Sequence, residues 1–187
     1  AAPGPLPQID PDADAAVLFT SGSTGPAKGV VYTQRQMAAM RDAVAAVCDL
    51  RPGTGLVAAF APFALLAPAM GAASVTPDMD VTKPRTLTAQ ALADAAAAIE
   101  ATTVFASPAA IVNVLATQND LAPHQRQALG RVRLMLSAGA PLPPPLLEQL
   151  QKLLPAAELH TPYGMTEALP MTDVRLETIR EAAVDSQ

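Results

Sequence analysis

The chain has 187 residues and a net charge of −5; half of its residues are hydrophobic, only 3% are aromatic, and one is a cysteine. That length allows one domain or one and a half. Dispersed charge of acidic sign leaves no basic stripe for nucleic acid, and a lone Cys48 excludes an intrachain disulfide and suits a reducing, cytoplasmic compartment.

Residues 1–13 form a Pro-rich N-terminal segment with neither the basic start nor the apolar core of a signal peptide. The apolar run Ala15-Ala16-Val17-Leu18-Phe19 predicts a buried strand. It leads into Thr20-Ser21-Gly22-Ser23-Thr24-Gly25-Pro26-Ala27-Lys28-Gly29, and a second apolar run, Val30-Val31-Tyr32, follows. Glycines let a backbone turn tightly and approach a ligand closely. Hydroxyls, amides and an ammonium on one turn make a polyanion site, most simply for phosphate. The loop is not a Walker A motif, because Ala27 precedes Lys28 and Gly29 follows it. Nor does it hold the Gly-x-Ser-x-Gly of a nucleophile elbow. The alternative is a plain surface turn between two strands.

Residues 34–50 predict a helix ended by Arg51-Pro52-Gly53. Residues 56–75 carry no charge and are long enough to cross a bilayer. Pro62, Pro68 and Gly71 interrupt them, so they read as a buried strand at 56–60, a turn and a buried helix near 65–73, not as a membrane span. Ser74-Val75-Thr76 is a short strand and 78–85 a polar loop. Thr88 caps a predicted helix to about residue 100, with Leu92 and Ile99 on one side. Residues 103–106 read as a strand, and Ser107-Pro108 opens a helix with serine as cap and proline in the first turn. A loop at 119–125 and a weak short helix come next. Residues 133–136 read as a strand that ends at Ser137-Ala138-Gly139-Ala140-Pro141, and 143–154 as a helix. Residues 157–160 lead into Tyr163-Gly164-Met165-Thr166-Glu167, and 176–187 form a weak amphipathic helix or a frayed tail. Short apolar strands alternating with helices predict an α/β fold, a mostly parallel sheet flanked by helices. Ligands of such sheets sit beyond the carboxyl ends of the strands, where Ser137 and His160 are expected.

The Thr-Ser-Gly-Ser-Thr-Gly loop, the Gly-Ala-Pro turn and the Tyr-Gly-Met-Thr-Glu segment, in that order, resemble the adenylate-forming (AMP-binding) superfamily. Its members include acyl-CoA synthetases, the adenylation domains of peptide synthetases, and luciferase. Residues 19–33, Pro77-Asp78-Met79-Asp80 and 163–170 are most similar to the β-lactone synthetases of bacterial long-chain olefin biosynthesis. The resemblance runs from about Asp14 to the end and makes residues 14–175 the central part of an adenylation domain.

The resemblance implies activation of a carboxylic acid by ATP with Mg²⁺, giving an acyl-adenylate and pyrophosphate. Thr20, Ser21, Gly22, Ser23, Thr24, Gly25 and Lys28 would cradle the β- and γ-phosphates. Thr166 would hydrogen-bond the α-phosphate, Glu167 would hold the metal, and Lys28, Thr166 and Glu167 would form the catalytic set. Tyr163 would stack on adenine, with Gly164 and Met165 beside it and Ala138, Gly139, Ala140 and Pro141 along the base. Phe63, Ala64 and Ala168 would border the acyl chain. Ala27 stands where the family has proline, Ala138 where it has glycine, and Ala64 where many acyl-CoA synthetases have histidine or an aromatic. The family's ribose-gripping aspartate, a downstream arginine and the lysine of its mobile C-terminal domain have no counterpart in these residues, which implies a fragment that is inactive alone.

Three functions stay open at this point: β-lactone formation from a β-hydroxy fatty acid; an acyl-CoA synthetase or acyl-AMP ligase, with coenzyme A as a second substrate; and a non-catalytic interaction module. Partner enzymes of an acyl pathway are compatible with the first two. Without the upstream motifs, Thr166 and Glu167 read as a helix start, Tyr163 as core packing, His160 as a strand end, His124 as surface and Cys48 as a small core residue. Two separated histidines and one cysteine give no zinc-type ligand set.

Overall fold

The computed structural model describes residues 8–19 and 27–185. Its centre is a five-stranded, all-parallel sheet built from β3 (Gly55–Ala58), β4 (Ala73–Val75), β5 (Thr103–Phe105), β6 (Leu134–Leu136) and β7 (Glu158–His160), in the order β4-β3-β5-β6-β7. Every residue of β3, β5 and β6 is buried. Strands covered on both faces must read as continuous apolar runs, which is how they read in the sequence.

Alternation along these strands divides the core in two. Val57, Val104, Met135 and Leu159 point into one layer, where α3 (Ala89–Ala98), α4 (Pro108–Thr117), α5 (Pro123–Leu129) and α6 (Pro144–Leu153) contribute Leu92, Ile111, Leu129 and Leu150. Leu56, Ala58, Phe105, Leu134 and Leu136 point into the other, against Met40 and Val44 of α1 (Gln34–Val47) and against α2 (Ala61–Leu66). Each fully buried leucine is worth about 1.5–3 kcal/mol relative to exposure.

Local chemistry sets the helix starts. Thr33 accepts from the Gln36 amide while the Gln36 side chain accepts from the Thr33 amide, a reciprocal capping box. Thr88 and Ser107 accept from Ala91 and Ala110, as their positions predict. The sequence misplaces two helices. α2 begins at Ala61 and gives way to a 3₁₀ turn at Ala67–Met70, because Pro68 lacks the amide that would extend it. The predicted loop at 119–125 is shorter than expected, since α5 already starts at Pro123, where proline suits a first turn.

β1 (Asp14–Phe19) and β2 (Gly29–Thr33) form a separate antiparallel ribbon. Here the expectation of a buried strand fails. Leu18, Val30 and Tyr32 face the core, but Val17 and Phe19 are 51% and 69% exposed. A two-stranded ribbon has two faces, and alternation sends these side chains to the outer one. The chain's end is α7 (Leu176–Asp185), anchored by buried Leu176. No helix among the described residues is long and apolar enough to cross a membrane.

Cys48 is 3% exposed at the end of α1. Burial first, then the Asp173 carboxylate, pushes its thiol up to about 12. A disulfide reagent at pH 8 is expected to label Cys48 in urea but not in the native chain; rapid native labelling would contradict this packing. In the unfolded chain the thiol ionises near its ordinary value of about 8.5. Its contribution to stability is therefore complete below that pH and is lost as pH rises towards 12.

Candidate active site

The strand order places a switch between β3 and β5: the chain leaves β3 towards β4 on one side and returns to β5 on the other. Ligands of open parallel sheets bind in the crevice beyond the carboxyl strand ends at such a point. Phe60 follows β3, Phe63 lies in α2, and Phe105 ends β5. Phe63 stacks on Phe105 at 4.2 Å between ring centroids, and Phe60 leans on both. Three of the chain's four phenylalanines thus meet at one spot. Ala64, beside Phe63, packs on the same core layer.

The next two strands deliver the rest. Ser137 follows β6, its amide donating to the His160 carbonyl at 3.0 Å. Residues 138–141 then turn outward, with Gly139 at φ +97°, a conformation natural to glycine. Ala138 is half-buried, whereas Gly139, Ala140 and Pro141 are exposed. His160 is the last residue of β7, not a loop residue after it, and it is buried. Its Nδ1 lies 2.5 Å from Asp173 and its Nε2 3.4 Å from Glu158.

Beyond His160 the sequence reading needs a larger correction. β8 (Tyr163–Met165) and β9 (Ala168–Thr172) form an antiparallel hairpin, and Thr166 and Glu167 are its turn. They start no helix, so the capping alternative for Thr166 fails. Tyr163 is 60% exposed, so the core-packing alternative fails as well. The hairpin's base is closed by the Thr161 amide donating to the Val174 carbonyl at 2.8 Å and by the His160–Asp173 contact. Leu169 seats it on the core layer under α1. A Cβ on Gly164 would meet the Leu169 Cδ2 and force that side chain to shift.

The turn is also held from the front of the chain. The Tyr32 hydroxyl, on the inward face of β2, donates to the Thr166 carbonyl at 2.5 Å. Beside it, Gln36, Met40, Glu167, Leu169 and Pro170 help line a groove of about 340 Å³. Thr20, Ser21, Gly22, Ser23, Thr24 and Gly25 lie outside the described residues. Lys28 is exposed immediately before β2, and the two strands flanking the loop are both present. The sequence reading missed Tyr32, Phe60 and Phe105. The signal for Tyr32 was a phenol at an inward position, since a buried hydroxyl must find a partner.

No three His, Cys, Asp or Glu side chains gather into a metal cluster among the described residues. Glu167 is an exposed single carboxylate. Mg²⁺ takes one or two protein carboxylates and completes its shell with water and substrate phosphates, so Glu167 fits a metal that arrives with a nucleotide. It does not fit zinc, which needs three or four protein ligands.

The sequence profile described as AMP-binding enzyme matches residues 2–186. The chain belongs to the AMP-binding enzyme family. Within this family it is 44% identical over 166 residues to an olefin β-lactone synthetase of Xanthomonas campestris pv. campestris, covering 88% of this chain and 28% of that protein. It is 41% identical over 181 residues to the protein of the same name from Stenotrophomonas maltophilia, covering 95% and 31%. The chain therefore spans about three tenths of the length of these relatives. Among solved structures, a malonyl-CoA ligase bound to methylmalonyl-CoA and AMP superposes with a TM-score of 0.74 at 26% identity, over 93% of this chain and 38% of that one. The parallel α/β fold expected from the sequence is thus the fold of AMP-binding enzymes.

Proposed function

We propose that this chain is the central segment, residues 14–175 above all, of an enzyme that adenylates a long-chain β-hydroxy acid and closes it to a β-lactone. The observation carrying this reading is that the Thr166 and Glu167 turn, the 138–141 loop and the phenylalanine cluster all follow carboxyl strand ends of one parallel sheet. The identity to two β-lactone synthetases supports the choice of product.

In this reading the substrate carboxylate oxygen attacks the α-phosphorus of ATP, and the bond to the β-phosphate breaks, releasing pyrophosphate. The β-hydroxyl oxygen then attacks the acyl carbon and loses its proton. The bond to AMP breaks, and a four-membered lactone leaves. Thr20, Ser21, Gly22, Ser23, Thr24 and Gly25, with Lys28, hold the outer phosphates. The Thr166 hydroxyl donates to the α-phosphate as charge builds there. Glu167 is the residue that would hold Mg²⁺, whose charge offsets that of the phosphates when bound. Tyr163, exposed on β8, offers its ring to adenine, with the flat backbone of Gly164 and Met165 beside it and residues 138–141 opposite. Phe63, Ala64 and Ala168 border the acyl chain, and the small Ala64 leaves room for it. A reducing, cytoplasmic location suits the buried, unpaired Cys48, and other acyl-processing enzymes would be the partners there.

A second reading, acyl-CoA ligation, is favoured by the likeness to the malonyl-CoA ligase. Products of the complete enzyme with ATP, Mg²⁺ and a long-chain β-hydroxy acid separate the two. A β-lactone and AMP formed without coenzyme A are expected. A thioester formed only with coenzyme A would replace the first reading by the second. Release of neither pyrophosphate nor AMP with any acid would leave a non-catalytic module.

A further inference from the structure

Thr166 and Glu167 are a two-residue hairpin turn of an unusual kind. Two-residue hairpins favour primed turns, whose positive φ angles match the twist of the strands; other turns splay them. Neither Thr166 nor Glu167 has a positive φ. The strand register also shifts between Tyr163 and Met165, and the Tyr32 hydroxyl holds the turn by donating to the Thr166 carbonyl, across 134 residues of chain. Tyr32 is 5% exposed and lies on the strand that leaves Lys28. We propose that Tyr32 is a positioning residue: by carrying the Thr166 carbonyl, it fixes the Thr166 hydroxyl and the Glu167 carboxylate relative to the strand that leaves the phosphate loop.

This rests on the reading that Thr166 and Glu167 act on the nucleotide phosphate and its metal. The carbonyl is main chain, so the turn cannot lose this acceptor by mutation, and the phenol is the side chain that can be changed. Burial, then the nearby Glu167 carboxylate, raises the Tyr32 pKa from its ordinary value, which favours the protonated phenol that donates this bond. The ring belongs to the core cluster that also holds Met40, Leu169 and Val30.

Tyr32→Phe keeps the ring and removes the donor. In the 187-residue chain, amide hydrogens of the β8–β9 hairpin are expected to exchange about tenfold faster, the worth of one buried hydrogen bond, while those of α6 keep their rates and so report an intact fold. Unchanged hairpin exchange would overturn the proposal. In the complete enzyme, ATP–pyrophosphate exchange should lose about tenfold in kcat with less than a twofold change in the KM for ATP. A residue that only held the fold would lower the melting temperature and leave kcat per active site alone, so a kcat within twofold of the parent also overturns it. Glu167→Gln is measured beside it. If Glu167→Gln is inactive and Tyr32→Phe is not, the tether alone is wrong; if both are fully active, the reading of the site is wrong.

Discussion

Thr166→Val in the complete enzyme is expected to lower kcat for acyl-adenylate formation by about 10²–10³-fold, the usual worth of one donor aimed at developing charge. Valine keeps the shape of threonine and removes its hydroxyl. Because the lost bond is strongest when the α-phosphorus is five-coordinate, kcat should fall more than the KM for ATP rises. Glu167→Gln should act through the metal, raising the Mg²⁺ concentration needed for half-maximal rate, since an amide oxygen lacks the charge of a carboxylate. Thr166 sits in a hairpin turn and caps no helix, so the melting temperature of Thr166→Val should stay close to that of the parent. Adenylation rate and melting temperature measured on one preparation decide the matter. A normal kcat in Thr166→Val would refute the assignment.

The 187-residue chain by itself is expected to show less than about a thousandth of the ATP–pyrophosphate exchange of the complete enzyme. It spans 28% and 31% of its two β-lactone synthetase relatives. In the family it resembles, the ribose is gripped by an aspartate, and a lysine on a mobile domain reaches the reacting carboxylate. The resemblance places neither position within these residues. Holding reactants in line accounts for up to about 7–11 kcal/mol of catalysis, so a partial grip leaves little of it. Radiolabelled pyrophosphate incorporated into ATP by the purified chain with a β-hydroxy acid is the measurement. Incorporation near the rate of the complete enzyme would mean that this segment holds the whole catalytic set.

The inner strands of the sheet were legible because they are covered on both faces and so are largely apolar. Leu134, Met135 and Leu136 form such a run, ended by the Gly-Ala-Pro turn. The starts of α3 and α4 were legible because Thr88 and Ser107 carry oxygens at cap positions. What escaped was set by tertiary context. Val17 and Phe19 look like core in sequence and lie outside because their ribbon has only two strands. Tyr163 and Met165 gave no strand signal, since β8 is three residues long and its hairpin is held by contacts distant in sequence, Leu169 on the core and the Tyr32 hydroxyl on the turn. The order of the site motifs could be read directly; their meeting could not, because Tyr32 and Thr166 touch only after five parallel strands have been laid side by side.

The contrast between the two tyrosines has a practical side. The chain has no tryptophan and only these two phenols, so its ultraviolet emission comes from Tyr32 and Tyr163 alone. One is sealed and bonded to a carbonyl, at 5% exposure; the other stands in solvent at 60%. Collisional quenchers reach the second and not the first. The signal that responds to iodide or acrylamide is therefore the signal of Tyr163, and if its ring stacks on adenine as proposed, its shielding by a nucleotide can be followed without any label, dye or coupled assay.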